Sequence, residues 1–409
     1  MDQPGWTAII INYNGASYLG PCLSALESVD VPPAAVIVVD NASTDDSLAE
    51  LIAYPRVELL AQPRNLGFAG GANAGLRATT TDVALLLNPD VEVAPDFGFE
   101  LLAVFARYPR LGAAGALLTY PGSARIQHAG GIIERPLMTT RHRGYGDTTV
   151  GAYQVAADVD FVTGGAMALR TESVRAVGGF DELLAPVYYE DVDLCVRMRD
   201  AGWRVMFTPS LRGEHHEGVT LKREASYYRH LHRNRLRFAL KHMSHAEWAD
   251  GFVPAELARL RYELASTHDA SESETSGAGA IEAVLRGLDG PDAWNASLAL
   301  PGWPVSIADI DVARTLIDVT GSRPRSRLPL VGWLRNKVKG IGPRWYVDPA
   351  FEKQHAFNAA VVRALDAHER RHREQTAALL LLALDALGRL RTAPELETGE
   401  RQRASAPES

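Results

Sequence analysis

Four short apolar runs, separated by stretches of helical length and spacing, constrain the fold of this chain more than any other feature. The runs are residues 7–11, 36–39, 57–60 and 83–87. Their apolar faces on both sides are typical of buried parallel strands. The stretches that predict helices are residues 17–28, 45–53 and 68–78. Strand–helix alternation predicts an open α/β sheet covered on both faces, with its ligand crevice beyond the carboxyl ends of the strands. Ser43 or Thr44 is expected to cap the second helix.

Composition excludes several classes of protein. The chain has 409 residues, which favours two domains or one large domain with an appendage. With 46% hydrophobic and 22% charged residues, it is neither wholly disordered nor fibrous. A formal charge of -8 argues against a uniformly basic nucleic-acid binder. Two separated cysteines predict neither a disulfide framework nor a thiolate zinc site. We see no signal peptide and no membrane-spanning run, so we expect a cytoplasmic protein.

Polar clusters follow three of the predicted strands. They are Asn12-Tyr13-Asn14-Gly15, Asp40-Asn41-Ala42-Ser43-Thr44-Asp45 and Asn88-Pro89-Asp90. Asn and Asp are common turn formers, so any one cluster is ambiguous. Three of them in register predict a crevice whose carboxylates and amides suit a base, a ribose or a metal.

The glycine-rich tract at residues 65–75 invites a dinucleotide interpretation, but that signal is weak. A nicotinamide fingerprint should follow the first strand, whereas this tract follows the third. Two interpretations stay open: backbone approach to a phosphate or ribose, and close packing of a helix on the sheet.

Three sets of acidic or histidine side chains are candidates for binding a metal ion or for acting as a general base. Asp90 is the best metal candidate, because a cation bound to a diphosphate needs few protein oxygens. His215-His216 follows an apolar strand, although adjacent histidines alone are not usually a metal site. Glu190, Asp191 and Asp193 surround the start of a predicted helix over residues 191–201. They either cap that helix or supply a general base.

Taken in order, eight motifs resemble family-2 glycosyltransferases, in particular their rhamnosyltransferase-like branch. The motifs are INYNG, VVDNASTDDS, NLGFAGGANAGL, LLLNPDV, FVTGGAMALR, GGFDE, YYEDVDLCVRMRDAGW and HHEG. The resemblance covers residues 7–242 and implies a GT-A fold, which is a Rossmann-like mixed α/β sheet. It also implies a nucleotide-diphospho-sugar donor, Mg²⁺ or Mn²⁺, and inversion at the anomeric carbon.

The resemblance assigns roles by position. It implies that Asp191 is the catalytic base and that Asp90 and His215 bind the metal. The residues implied on the donor side are Asn12, Asn14, Asp40, Asn65, Gly67, Asn73, Asn88 and Asp90. The residues implied on the acceptor side are Gly164, Gly165, Asp181 and Glu190. One departure concerns the DxD element, which reads Asn88-Pro89-Asp90, so its first carboxylate is absent.

The resemblance implies transfer from dTDP-rhamnose or a UDP-hexose to a cell-surface glycan or a lipid-linked acceptor, in polysaccharide biosynthesis of the cell envelope. The alternatives are an inactive sugar-nucleotide-binding scaffold and, less favoured, a sugar nucleotidyltransferase. No nucleic-acid partner is expected.

We expect a catalytic domain over residues 1–245 and a mainly helical extension. The extension divides into a linker and mixed region at 246–350, a long helix at 351–392 and a disordered tail at 393–409. Trp, Leu and Val alternate with Arg and Lys at residues 328–346, which is typical of an interfacial membrane element. Peripheral contact with the inner face of the membrane, self-association through the C-terminal helices and packing on the catalytic domain are the open alternatives for this region.

Overall fold

A computed structural model describes residues 5–148, 150–216, 225–244 and 246–259. The strands are β1 (Trp6–Asn12), β2 (Ala35–Asp40), β3 (Val57–Ala61), β4 (Val83–Leu87), β5 (Val91–Val93), β6 (Leu111–Thr119), β7 (Ile126–His128), β8 (Gly131–Glu134), β9 (Thr139–His142), β10 (Ala157–Asp158), β11 (Ala166–Arg170) and β12 (Arg204–His215). The helices are α1 (Ala16–Glu27), α2 (Ser47–Glu50), α3 (Gly67–Ala78), α4 (Phe97–Arg107), α5 (Thr171–Ala176), α6 (Glu190–Asp200) and α7 (Ala225–His242). Short 3₁₀ turns lie at Leu51–Ala53, Val150–Tyr153 and Glu182–Leu184.

The described strands form one mixed sheet and one small hairpin. The main order is β10-β12-β6-β11-β4-β1-β2-β3, with β5 on β12 and β7 on β6. The pairings among β1, β2, β3 and β4 are parallel, whereas β11 runs antiparallel to β4 and β6. The hairpin joins β8 to β9. This arrangement confirms the predicted Rossmann-like mixed α/β sheet.

Two local expectations from the sequence are wrong. The run at residues 57–60 is a strand, but β3 is the edge of the sheet and Leu59 is 41% exposed. An apolar run gives no information on whether a second strand covers its outer edge. The second helix is also shorter than expected, because only Ser47–Glu50 is α-helical and Leu51–Ala53 forms a 3₁₀ turn. Its N-cap is Asp46, without a side-chain cap hydrogen bond, and not Ser43 or Thr44.

The core lies between the sheet and the helices on its faces. Trp6, Leu23 and Phe97 are among its fully buried side chains, and they come from β1, α1 and α4. Helix α3 packs on β1 and β2 from its glycine-rich face, where a Cβ on Gly75 would lie 2.3 Å from Ile9 Cγ2. Close helix–sheet packing therefore accounts for this part of the glycine tract.

The described chain continues as a helical segment past residue 245. Trp248 and Phe252 are buried and stack with their ring centroids 4.7 Å apart. Glu256 pairs with the buried Arg235 of α7. None of the described helices is both long and apolar enough to cross a bilayer. The expectations for residues 260–350, 351–392 and 393–409 lie outside the described residues.

Candidate active site

A cavity of about 1280 Å³ opens at the carboxyl ends of β1, β2 and β4. The structure brings most of the sequence-predicted site residues to its wall. They are Asn65, Gly67, Asn88, Asp90, Gly164, Gly165, Glu190, Asp191 and His215. The strand-end rule therefore located the cavity correctly from the sequence.

Asn12, Asn14 and Asp40 do not line the cavity. Their side chains form hydrogen bonds that connect the end of β1 to the end of β2. The Asp40 carboxylate accepts hydrogen bonds from Asn12 Nδ2 at 2.9 Å and from Ser43 Oγ at 2.6 Å. The Asn14 carbonyl oxygen Oδ1 accepts from the Thr44 amide at 2.8 Å. Their chain neighbours Ile11, Tyr13 and Asn41 do line the cavity. The network thus fixes the backbone that presents this part of the wall.

Asn73 and Asp181 also lie away from the cavity wall. The Asn73 side chain donates to the Phe180 carbonyl oxygen at 3.0 Å and accepts from the Phe180 amide at 2.9 Å. Asp181 accepts from the Leu183 amide at 3.1 Å and from Lys241 Nζ at 2.6 Å. Both side chains hold the turn before α6 and do not face the ligand space.

Asp90 and His215 form a pair whose chemistry suits a divalent cation. His215 Nε2 lies 3.3 Å from Asp90 Oδ1, a buried atom without a hydrogen-bond partner among the described residues. His215 Nδ1 lies 2.8 Å from the Gln127 amide oxygen and donates a hydrogen bond to it. The imidazole proton is therefore on Nδ1, and Nε2 has a lone pair for a metal ion. Two facing acceptors with no proton between them are good ligands for Mg²⁺ or Mn²⁺.

The part of the chain described here holds no larger cluster of metal-ligating side chains around that pair. Two protein ligands are enough when a diphosphate and water complete the coordination. His216 is engaged elsewhere, because its Nε2 lies 3.0 Å from Glu92 Oε1. The two adjacent histidines therefore have different environments.

Glu190, which is buried, and Asp191, which is partly buried, form a carboxyl pair at the start of α6. Burial raises the pKa of both, and the charge of Asp191 raises the pKa of Glu190 further. Asp191 accepts hydrogen bonds from the Gly164 amide at 3.0 Å and the Val192 amide at 2.8 Å, which favour its ionised form. Glu190 Oε2 has no such partner among the described residues. The surroundings of Asp191 therefore favour its ionised form more than those of Glu190 favour an ionised Glu190.

Asp193 lies on the same helix but faces away from the cavity. Its carboxylate is fully buried and accepts from Arg197 Nε at 2.7 Å and from His242 Nε2 at 2.8 Å. Lys241 Nζ lies 2.8 Å away. These donors hold the pKa of Asp193 at about 2, despite burial. Asp193 anchors α6 to α7.

The backbone before α6 adopts an unusual conformation. Tyr188 and Tyr189 have φ angles of +77° and +70°, which cost side-chain-bearing residues roughly 1–3 kcal/mol each. Asn234 of α7 is fully buried, and its Nδ2 donates to the carbonyl oxygens of Val187 at 2.9 Å and Tyr188 at 3.0 Å. Helix α7 thus holds the strained loop that leads into the acid pair.

The same loop is tied to the opposite side of the cavity. The Phe68 amide donates to the Pro186 carbonyl oxygen at 2.8 Å. Gly67 has a φ of +71°, and a Cβ there would lie 2.6 Å from the same oxygen. The two walls therefore meet at a position that only glycine occupies without strain.

Sequence reasoning missed several residues of the cavity wall. Asn41 is buried and donates to the Gly67 carbonyl oxygen at 3.1 Å, and its Oδ1 has no hydrogen-bond partner within the described part of the chain. Its place directly after β2 was a usable signal. His142, Tyr145 and Phe161 also line the cavity. Phe161 opens the motif FVTGGAMALR, so its place in the sequence was a usable signal. The segments of His142 and Tyr145 carry no such motif, and the pairing of β8 with β9 brings His142 to the wall.

Comparisons with known proteins agree with this geometry. The model of the family described as "Glycosyl transferase family 2" matches residues 7–178. An uncharacterized protein of Sinorhizobium fredii is 32% identical over 45% of this chain, and the matched region spans only 21% of that protein's length. The N-acetylglucosaminyl-diphospho-decaprenol L-rhamnosyltransferase of Mycobacterium tuberculosis is 28% identical over 55% of this chain and 80% of its own.

A solved structure of GalNAc-T7 with UDP, GalNAc and Mn²⁺ aligns with a TM-score of 0.47 at 17% identity. The alignment covers 58% of this chain and 48% of that one. The sheet order and the sequence matches together confirm the GT-A fold expected from the motifs. Residues 7–178 are therefore similar to family-2 glycosyltransferases, and the named relatives include a rhamnosyltransferase.

Proposed function

We propose that this chain is an inverting, metal-dependent glycosyltransferase. It moves a sugar from a nucleotide-diphospho-sugar to a hydroxyl group of a glycan or lipid-linked acceptor. The observation that carries the proposal is the shared cavity, in which the carboxyl group of Asp191, held by two backbone amides, accompanies the Asp90–His215 pair. A base and a cation site in one crevice are what displacement of a diphosphate requires.

In the proposed reaction, the acceptor oxygen attacks the anomeric carbon from the face opposite the diphosphate. The new carbon–oxygen bond forms as the bond to the diphosphate breaks, and the diphosphate leaves with the electron pair. Asp191 takes the proton of the acceptor hydroxyl. The backbone amides of Gly164 and Val192 hold both of its oxygens, so its orientation is fixed before the acceptor arrives.

Asp90 and His215 would hold the cation, and Gln127 would orient the imidazole. A bound Mg²⁺ or Mn²⁺ stabilises the negative charge that develops on the leaving diphosphate. Asn88 lines the cavity beside Asp90 and presents an amide where a second carboxylate is absent, so we assign it to the donor and not to the metal.

The substrate class rests on the relatives. The M. tuberculosis relative is named for L-rhamnosyl transfer to an N-acetylglucosaminyl-diphospho-decaprenol. A second relative is named an O-antigen biosynthesis protein of Myxococcus xanthus. These names favour dTDP-rhamnose, with a UDP-hexose next, and an acceptor of the cell envelope.

A donor screen tests the proposal. Each dTDP- and UDP-sugar is incubated with the full chain and a short-chain lipid-diphospho-N-acetylglucosamine, and the products are separated. Release of nucleoside diphosphate together with a glycosylated acceptor is expected. Release of inorganic diphosphate would indicate a nucleotidyltransferase, and donor binding without product would indicate the inactive scaffold.

The metal assignment has its own test. Chelator should abolish activity, and added Mg²⁺ or Mn²⁺ should restore it. His215→Ala should reduce activity far more than His216→Ala, its matched control, because His216 is bound to Glu92. Asp90→Ala should weaken donor binding in a thermal-shift titration. Full activity in chelator would contradict the metal assignment.

For the C-terminal region we propose a role in placing the enzyme at its acceptor, on sequence grounds alone. Residues 328–346 pair Trp, Leu and Val with Arg and Lys, a composition that binds anionic membrane surfaces. The full chain should co-sediment with vesicles that contain anionic lipid and not with neutral vesicles. Absence of binding to both, with a monomer in solution, would remove this role. The packing of Trp248 and Phe252 places any truncation point beyond residue 259.

A further inference from the structure

Tyr145 is an aromatic residue of the cavity wall to which the mechanism proposed above gives no role. It lies in the segment between β9 and the 3₁₀ turn at Val150–Tyr153, and 49% of its surface is exposed. A single exposed aromatic side chain needs no explanation on an open surface. On the wall of a cavity it is a candidate for contact with a bound molecule, because aromatic side chains supply much of the contact area of ligand sites.

The turn that carries Tyr145 is anchored to the sheet. Gly144 and Gly146 flank the tyrosine with φ angles of +76° and +81°. The Gly146 amide donates to the Ile126 carbonyl oxygen at 2.8 Å, and the Ile126 amide donates to the Asp147 carbonyl oxygen at 2.8 Å. These two hydrogen bonds hold the turn on β7, so the backbone that presents Tyr145 has a defined place.

The hydroxyl group of Tyr145 connects it to the end of a central strand. Tyr120, the residue directly after β6, donates from its hydroxyl group to the Tyr145 hydroxyl oxygen at 3.2 Å. Strand β6 runs parallel to β12 and, through β11, parallel to β4, so these three strands have their carboxyl ends at one edge of the sheet. Asp90 follows β4 at that edge, and His215 ends β12 there. Tyr145 therefore belongs to the part of the cavity wall at β6, which β11 and β4 separate from β1, β2 and β3.

Ring contacts connect Tyr145 with the segment that holds the base. Its ring lies edge to face with that of His142, with the centroids 6.5 Å apart, and the centroids of His142 and Phe161 lie 6.0 Å apart. Phe161 is three residues before Gly164, whose amide donates to Asp191 Oδ2 at 3.0 Å. All five residues line the cavity. Tyr145 and Asp191 therefore lie on one continuous part of its wall.

The surroundings of Tyr145 indicate the chemistry of a molecule that would contact it. The face of an aromatic ring attracts the weakly positive hydrogens of C–H groups. The other cavity residues of its segment include Thr140, Arg141 and Asp147, whose side chains are polar or charged. An apolar ring face with polar side chains around it matches a sugar, which has C–H groups on its faces and hydroxyl groups around its edge. An alkyl chain would bring the same polar side chains into contact with hydrocarbon, which is unfavourable.

We propose that Tyr145 stacks on the C–H face of the acceptor sugar and thereby places the hydroxyl group to be glycosylated at Asp191. The favoured ligand class is a hexopyranoside with mostly equatorial substituents, because these leave a continuous C–H face on the ring. Tyr120 positions Tyr145 through the hydrogen bond between their hydroxyl groups. This inference rests on the proposed transfer to an acceptor hydroxyl, and the experiments distinguish the two.

Ligand-observed NMR tests the contact without relying on turnover. The full chain is mixed with the short-chain lipid-diphospho-N-acetylglucosamine, and saturation is transferred from the protein to the ligand. In the wild type, the C–H protons of the sugar ring should receive strong saturation, and Tyr145→Ala should lose most of it. Tyr145→Phe keeps the aromatic ring and should recover most of the signal. A loss confined to the lipid protons in Tyr145→Ala would overturn the proposal, because Tyr145 would then contact the hydrocarbon chain.

Kinetics tests the same contact during transfer. Tyr145→Ala should raise the acceptor KM about 3- to 10-fold, which corresponds to the loss of one aromatic contact, and leave the donor KM unchanged. Tyr145→Phe should recover most of that loss. Phe99→Ala is the matched control, because Phe99 is 58% exposed on α4 and does not line the cavity. This control should change neither KM.

The outcomes distinguish this inference from the proposed function. An unchanged acceptor KM in Tyr145→Ala, or a change confined to the donor KM, would overturn the acceptor contact. Failure of the wild type to glycosylate any acceptor would contradict the proposed function, and the NMR result would then decide the sugar contact by itself. Thermal melts of each variant separate a lost contact from a lost fold.

Discussion

Asp191 and Asp193 are two positions apart on α6 and offer the sharpest paired test of the site. The pKa of Asp193 falls from 3.8 to about 2 in the folded chain, which corresponds to about 2 kcal/mol of stabilisation. Because the folded pKa is lowered, this stabilisation is present above pH 4–5 and disappears as the pH falls through about 2. Asp193→Asn should therefore lower the free energy of unfolding by about 2 kcal/mol at pH 7 and leave kcat within a few-fold.

Asp191→Asn should show the opposite behaviour. Burial raises the pKa of Asp191, so its charged form opposes folding at neutral pH and its neutral isostere should not destabilise the chain. Loss of a general base should lower kcat by roughly 10²–10⁴, with donor affinity within a few-fold.

Urea unfolding at pH 7 and at lower pH, together with nucleoside diphosphate release, measures both effects. The difference in stability between wild type and Asp193→Asn should narrow as the pH falls. If Asp193→Asn loses turnover at full stability, or Asp191→Asn retains turnover, the assignment of base and anchor is reversed.

Three further expectations follow from the same contacts. Gly67→Ala should lower the melting temperature and weaken donor binding in a thermal-shift assay, whereas Gly122→Ala, with φ +60° but nothing within 4 Å, should show only the smaller backbone effect. Glu256→Gln leaves Arg235 buried without its full partner and should lower the free energy of unfolding in urea by about 3–5 kcal/mol. An unchanged free energy of unfolding would show that the pair does not stabilise the fold. The pH–rate profile should lose activity on the acid side at a pH above the ordinary Asp range, because burial raises the pKa of Asp191; a limb at or below pH 3.8 would argue against this residue as the base.

The parts of the site that the sequence predicted are those set by local pattern. Apolar runs located β1, β2 and β4, and the rule for strand ends then placed Asp90 at the cavity. Asp191, which lies at the start of a helix, was selected by its acidic motif and not by that rule. Asn73 was placed on the donor side because of its motif, whereas the structure uses it to bind Phe180, more than 100 residues away. His142 was missed because it reaches the cavity wall through the pairing of β8 with β9, which the spacing of residues along the chain does not specify.

The hydrogen bond between Phe68 and Pro186 connects the start of α3 to the loop before α6, so the two sides of the crevice are coupled. Ordering either loop by a bound molecule removes freedom from the other, so part of the entropic cost of the second binding event is met by the first. Linkage requires this cooperativity to be reciprocal: an acceptor analogue must tighten donor binding by the same factor by which the donor tightens acceptor binding. A related enzyme without this hydrogen bond would bind its two substrates independently. Its donor would then be more exposed to hydrolysis when no acceptor is bound.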